Sequence, residues 1–161
     1  MTENHRVILA DDHAILRKGL VSIIQQNPAF MVQAEADDGI ALLNLLDQGI
    51  VPDLLILDLS MPLISGLEIL QIIQKRDFSF KVLIMTMHKE SDLVCRVFKA
   101  GAQGYILKDD AAKELHVALR ALFEDRIYLS ASMAASMPEA CKMKNAAVQS
   151  ISFPSACYCA K

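Results

Sequence analysis

The sequence predicts an α/β fold, a doubly wound parallel sheet with helices on both faces. Three observations predict it. Five short apolar runs that read as strands alternate with five helix-like patterns over about 120 residues, as in a chain of βαβ units. The most apolar run, Asp53-Leu54-Leu55-Ile56-Leu57-Asp58, is continuous rather than alternating, as a strand covered on both faces must be. Acids stand where strands end, at Asp11, Asp12 and Asp58, and that edge is where open α/β sheets keep their ligand sites.

Taken in order, Val7–Ala10 is a short buried strand that runs into Asp11-Asp12. Asp12 is placed to cap a helix through about Gln26, with Ile15, Leu16, Leu20, Ile23 and Ile24 on one stripe, and Asn27-Pro28 stops it. Phe30 to Ala36 alternates as a second strand. Asp37-Asp38-Gly39 then turns into a helix carrying Leu42, Leu43, Leu45 and Leu46 that ends near Gly49. The third strand is Asp53–Asp58. Pro62 cannot extend a ladder, so a loop follows, and Ser65 caps a helix with Leu67, Ile69, Leu70, Ile72 and Ile73. Lys81 to Thr86 is the fourth strand, and Glu90 or Ser91 opens a helix with Val94, Val97 and Phe98 that Gly101 closes. Tyr105-Ile106-Leu107 is the fifth strand. Asp109 or Asp110 caps a last helix through about Glu124, with Leu115, Ala118, Leu119 and Leu122 as its apolar face.

Right-handed crossovers put all five strand ends on one edge. Asp11, Asp12, Asp58, Thr86 and Lys108 therefore meet there. Each taken alone has a plain structural use: helix caps for Asp11 and Asp12, a β-branched strand residue for Thr86, a surface charge for Lys108. Together they make a site. Three converging carboxylates repel unless a cation neutralises them, and Mg²⁺ prefers oxygen ligands supplied by a few carboxylates, waters and a phosphate. A carboxylate so placed can take a phosphoryl group as an aspartyl phosphate, with a lysine and a hydroxyl to meet the charge on the transferred oxygens.

The stretches Val7-Ile8-Leu9-Ala10-Asp11-Asp12-His13, Leu57-Asp58-Leu59-Ser60-Met61-Pro62 through Ser65-Gly66, Met85-Thr86 and Gly101 through Asp109 resemble the receiver domain of two-component response regulators. The Asp-Asp-His opening, Arg17-Lys18-Gly19-Leu20 and the ending Asp125-Arg126-Ile127-Tyr128-Leu129-Ser130 are similar to the NarL/LuxR-type subfamily. The resemblance covers roughly residues 5–130 and implies a flavodoxin-like fold with strand order 2-1-3-4-5, a type that the switch-point rule already covers. It implies that Asp58 accepts a phosphoryl group from a sensor histidine kinase. Asp11, Asp12, Asp58 and the backbone carbonyl of Ser60 would then hold Mg²⁺. Thr86 is the switch hydroxyl, Lys108 pairs with the phosphoryl group, and Tyr105 is the aromatic switch. The face of the fourth helix, fifth strand and fifth helix would change shape and meet partners, in a transcription-control pathway. Phe98, Leu115 and Leu122 lie on or under that face, with ordinary core packing the simpler reading. A homodimer through this face and a monomer both remain open. The histidines, His5, His13, His88 and His116, have no metal-spaced company in the sequence, and His13 reads as packing at the helix start. Met61, Met85 and Met87 read as gap-filling apolar residues.

Composition agrees with one packed domain. The chain is 53% hydrophobic and 22% charged, with net charge −3. Residues 1–130 hold 13 of the 16 basic and 18 of the 19 acidic residues, so the main domain is acidic and unsuited to nonspecific binding of nucleic acid. Cys95 is its only cysteine, which gives it no disulfide framework and suits a reducing cytosol. Nothing approaches the run of about 18 apolar residues that a membrane span needs, and the start has no signal-peptide shape. The expectation is a soluble cytoplasmic protein with a receiver domain at 1–130. Residues 131–161, rich in Ala, Ser, Met and Cys, read as a linker or an atypical tail, weakly helical or disordered. They do not resemble the helix-turn-helix domain that follows NarL/LuxR-type receivers, so DNA binding by this chain is not expected. Nor is enzymatic turnover: a phosphatase using an aspartyl phosphate carries a second acid two residues after the nucleophile, and Ser60 stands there. An aspartyl-phosphate hydrolase and a DNA-binding transcription factor are the alternative readings.

Overall fold

The computed structural model describes residues 4–135. Six strands form one parallel sheet in the order β2-β1-β3-β4-β5-β6. They are β1 (His5–Ala10), β2 (Phe30–Ala36), β3 (Leu54–Leu57), β4 (Lys81–Thr86), β5 (Gly104–Leu107) and β6 (Tyr128–Leu129). The helices are α1 (Ala14–Gln25), α2 (Gly39–Asp47), α3 (Gly66–Lys75), α4 (Ser91–Lys99), α5 (Ala111–Phe123) and a short α6 (Ala131–Ala134). The five expected βα units and the order 2-1-3-4-5 are present. The addition is β6, which pairs parallel to β5 through Gly104–Tyr128 and Tyr105–Leu129. Two residues are too few to give a strand pattern in sequence.

Side-chain alternation along the strands divides the core. Val7 and Leu9 of β1, Leu54 and Ile56 of β3, and Leu83 and Met85 of β4 face α1 and α5. Ile8 and Ala10, Leu55 and Leu57, and Val82 and Ile84 face α2, α3 and α4. Every residue of β3 is buried, as its continuous apolar run requires. Strand order reverses at β1, which lies between β2 and β3. The crevice beyond the C-termini of β1 and β3 is thus the switch point of the sheet.

Two helix starts follow their expected chemistry. Asp38 caps α2 by accepting from Ala41 N, and Ser65 caps α3 in a reciprocal capping box with Glu68. The same Ser65 bonds hold the Glu68 carboxyl below its ordinary pKa. Two others differ. α1 is capped by His13, not Asp12, and no side chain bonds its free amides. The acids there are engaged elsewhere, since Asp11 Oδ1 accepts from His13 N at 2.7 Å. Ile15, expected on the buried stripe, is 89% exposed, because the first turn of α1 stands past the end of β1, and only Leu20 and Ile24 are fully buried. Before α5 a single 3-10 turn, Lys108–Asp110, intervenes. Asp110 occupies the cap position without capping, and its carboxylate accepts instead from the hydroxyls of Ser130 (3.0 Å) and Ser132 (2.6 Å).

These bonds, with the burial of Met133, pack α6 against the domain. Of the expected tail, residues 136–161 lie outside the described residues. Leu115 and Leu122 are core residues on the α1 side of the sheet, and Phe98 is half-buried on the other side. Met61 and Met85 are buried, whereas Met87 is exposed and fills no gap. No helix among the described residues is long and apolar enough to cross a membrane.

Two features of the frame carry predictions. Asp53, just before β3, accepts from Arg6 N (2.7 Å), Nε (3.1 Å) and an Nη (3.0 Å), tying β1 to β3 at the edge opposite the acids. The Arg6 hydrogen bonds hold the Asp53 carboxyl below its ordinary pKa despite some burial. A depressed carboxylate contributes stability that is present above its unfolded value, about 3.9, and lost as pH falls through its folded one. Arg6→Ala should therefore be slightly less stable than the parent at neutral pH, with the gap closing in acid. Thermal melts at several pH values check this, and a gap that widened in acid would refute it.

Gly66 opens α3 directly against the loop that follows β3. A Cβ there would collide with the carbonyl oxygen of Asp58 and lie 2.7 Å from Leu59 Cα, both of them backbone. Gly66→Ala is expected to cost about 1–3 kcal/mol, the usual price of overpacking a rigid site. Denaturant unfolding measures it. An unchanged midpoint would mean that the loop yields freely.

Candidate functional site

The strand ends bring the acids together. Asp11 and Asp58 are each 1% exposed, at the ends of β1 and β3. Lys108, at the end of β5, has a side chain 4% exposed and donates to both: Nζ lies 2.7 Å from Asp11 Oδ2 and 2.8 Å from Asp58 Oδ2. Two carboxylates so deeply buried need a cation. Burial opposes the charge on Lys108, but its hydrogen bonds to Asp11 and Asp58, with the charges of both acids, outweigh that and hold its pKa above the ordinary lysine value. The other oxygen of Asp58, Oδ1, accepts from Ser60 N at 3.2 Å, which fixes the carboxylate plane from the loop side.

Asp12 is more open and sits on the rim. One ligand atom from each of Asp11, Asp12, His13 and Asp58 lies within 4.8 Å of the others. Three carboxylates around one point suit a hard divalent cation, so the donor set fits Mg²⁺. Thr86 ends β4 fully buried, and its hydroxyl accepts from His88 N at 3.3 Å. Among the described residues, no hydrogen bond joins it to Asp58 or Lys108. The ring of Tyr105 is fully buried in β5, and its hydroxyl donates to the His88 carbonyl at 2.8 Å. Burial, with the negative charge of Glu90 adding to it, pushes this phenol well above its ordinary pKa.

The structure thus gathers Asp11, Asp12, Asp58 and Lys108 in one pocket. It sets Thr86 and Tyr105 beside one another through the backbone of His88. It leaves Ser60 exposed over the pocket.

Sequence reasoning missed two residues. His13 does not pack at the helix start. Its ring is 59% exposed, with Nδ1 3.1 Å from Asp11 Oδ1 and 2.8 Å from Asp12 Oδ1. Adjacency to two acids was the available signal. His88 bonds Ser60 Oγ through Nε2 at 2.7 Å and turns Nδ1 toward Glu90 at 3.5 Å, joining the loop after β3 to the loop after β4. Its place two residues past a strand-end threonine was the only hint.

The comparisons with known proteins follow the same geometry. Residues 7–120 match the response regulator receiver domain family. The chain is 34% identical over 126 residues to the transcriptional regulatory protein YdfI of Bacillus subtilis (strain 168), covering 78% of this chain and 58% of that protein. It is similar to the crystal structure of a LuxR-family two-component response regulator from Aurantimonas sp. SI85-9A1, with TM-score 0.76 and 34% identity over 82% of this chain and 94% of that one. It is also similar to the isolated REC domain of RcsB from Salmonella enterica serovar Typhimurium in the presence of phosphomimetic BeF3−. There the TM-score is 0.78 and the identity 29%, over 84% of this chain and 99% of that one. The chain spans between half and two thirds of the length of the curated relatives it matches.

Proposed function

The chain belongs to the response regulator receiver family, of the NarL/LuxR type, and from that premise we propose that it accepts a phosphoryl group on Asp58 from a sensor histidine kinase and passes the signal to a transcription-control pathway in the cytoplasm. One observation carries the reading: a buried lysine bonded at once to Asp58 and Asp11, with Asp12 alongside. A neighbour of the same fold, the isolated REC domain of RcsB in the presence of phosphomimetic BeF3−, supports it.

In this reading an oxygen of Asp58 attacks the phosphorus of the donor phosphohistidine; the new P–O bond forms as the P–N bond breaks, and the leaving imidazole takes a proton from solvent. Asp11, Asp12, Asp58 and the Ser60 carbonyl would hold the cation. Mg²⁺ supplies charge neutralisation of the transferred oxygens when bound. Lys108 contributes a second positive charge, already placed by its bond to Asp58. The phosphoryl group adds roughly 1.5 to 2 negative charges. Thr86 exchanges its bond to His88 N for one to a phosphoryl oxygen. That exchange alters the loop whose carbonyl holds the Tyr105 hydroxyl, and so the face of α4, β5 and α5. A switch of this kind needs only a few kcal/mol of differential contact.

The test is the intact mass of the full chain after incubation with acetyl phosphate. A single phosphoryl increment that requires Mg²⁺ is expected. No increment, or the same increment with EDTA present, defeats the proposal.

A further inference from the structure

One donor in the pocket is unused by a magnesium reading. His13 is a nitrogen donor among oxygens: its Nδ1 stands 2.8 Å from Asp12 Oδ1 and 3.1 Å from Asp11 Oδ1, within the cluster that Asp58 completes. Lys108 Nζ lies 3.4 Å from the same nitrogen. The backbone holds the ring there. His13 is the cap residue of α1, and its own amide donates to Asp11 Oδ1, so the residue is tied to the same carboxylate that its ring approaches.

Magnesium is small and hard, keeps its waters and gains little from imidazole. Manganese, cobalt and zinc bind imidazole well, and their affinity for mixed nitrogen and oxygen sites rises along the divalent series. A site of oxygens alone discriminates weakly among these ions, whereas one imidazole shifts it toward the borderline metals. Resting on the reading of this pocket as a cation site, we infer that His13 is itself a ligand, and that the site takes a borderline divalent cation such as Mn²⁺ in preference to Mg²⁺.

The competing role for His13 is a hydrogen bond to the two carboxylates. The two roles differ in what they do to different cations. A ligand lost affects manganese far more than magnesium. A hydrogen bond lost affects both alike. His13→Asn separates them further, because an amide can still donate to a carboxylate but offers no imidazole nitrogen.

The experiment uses the full chain, MnCl₂ and MgCl₂ separately, at one fixed pH. Mn²⁺ is chosen over Zn²⁺ because the chain has four cysteines that would compete for zinc. Pulsed electron paramagnetic resonance of the bound Mn²⁺ reads nitrogen coupling, and calorimetry reads both affinities. The expected result is a directly bound nitrogen in the parent that is missing in His13→Ala and His13→Asn, with the Mn²⁺-over-Mg²⁺ affinity ratio falling about tenfold in both. Mn²⁺ bound without nitrogen coupling, or a ratio unchanged by either substitution, overturns the ligand role and leaves the cation pocket standing. Binding that Asp12→Asn and Asp58→Asn do not weaken overturns the pocket itself.

Discussion

Replacing Asp58 with asparagine is expected to reduce phosphoryl uptake from acetyl phosphate to background, with the fold kept. The side chain stays the same size, so packing does not explain the loss. Asparagine has one oxygen, which can still accept either from Lys108 or from Ser60 N, so one of the two bonds that orient residue 58 is kept and the other is lost. What disappears is the anionic oxygen that attacks phosphorus. Removing one carboxylate from beside Asp11 also relieves like-charge repulsion, so the variant should be at least as heat-stable as the parent without a cation. Uptake equal to the parent's would place the acceptor elsewhere. A melting temperature many degrees lower would mean that residue 58 mainly holds the fold.

Lys108→Met is expected to give the largest loss of stability. Methionine fills much of the same volume but carries no charge. Asp11 and Asp58, each 1% exposed, would then face one another without their shared ammonium. Breaking a buried ion pair by deleting one partner costs about 3–5 kcal/mol. For a domain of this size that is roughly 10–20 °C in melting temperature. If Asp11, Asp12 and Asp58 bind a cation as proposed, added Mg²⁺ should recover part of it: about 2.7 kcal/mol at a hundredfold excess over the dissociation constant. A variant within a degree or two of the parent in EDTA would show that the two bonds contribute nothing net. The pH dependence has a definite sign. The pKa of Lys108 is raised on folding, so its contribution is complete below the ordinary lysine value of about 10.4 and is lost only as pH climbs through the higher folded value. The parent and the variant should therefore converge in strong alkali.

The frame was legible in the sequence where one force dominated. The Leu54–Leu57 run could only be a strand covered on both faces, and it is buried at every residue. Ser65 and Glu68 have the spacing of a capping box, and they make one. The failures share a cause: a residue with a good local use was recruited over a long range. Asp12 is a sound helix cap by type, but it lies at the rim of the acid pocket. Asp110 is another, and Ser130 and Ser132 claim it from twenty residues away. His88 carried no weight alone, because its partner Ser60 is brought to it by the sheet, whereas the acids that His13 meets, Asp11 and Asp12, are its own sequence neighbours. Strand order belonged to the same class. Alternating strands and helices allow several orders, and only the resemblance selected 2-1-3-4-5. The convergence of Asp11, Asp12, Asp58 and Lys108 was nevertheless readable, because a parallel sheet sends every strand end to one edge.

The pocket's purpose is tested most directly by locating the phosphoryl group. The protein is incubated with acetyl phosphate and Mg²⁺, reduced with borohydride, which converts an aspartyl phosphate to homoserine, and digested for peptide mass spectrometry. Homoserine at position 58 and at no other aspartate, absent when EDTA replaces Mg²⁺, is the predicted result. Homoserine at another aspartate, or none anywhere under conditions that label a known receiver, would contradict the account.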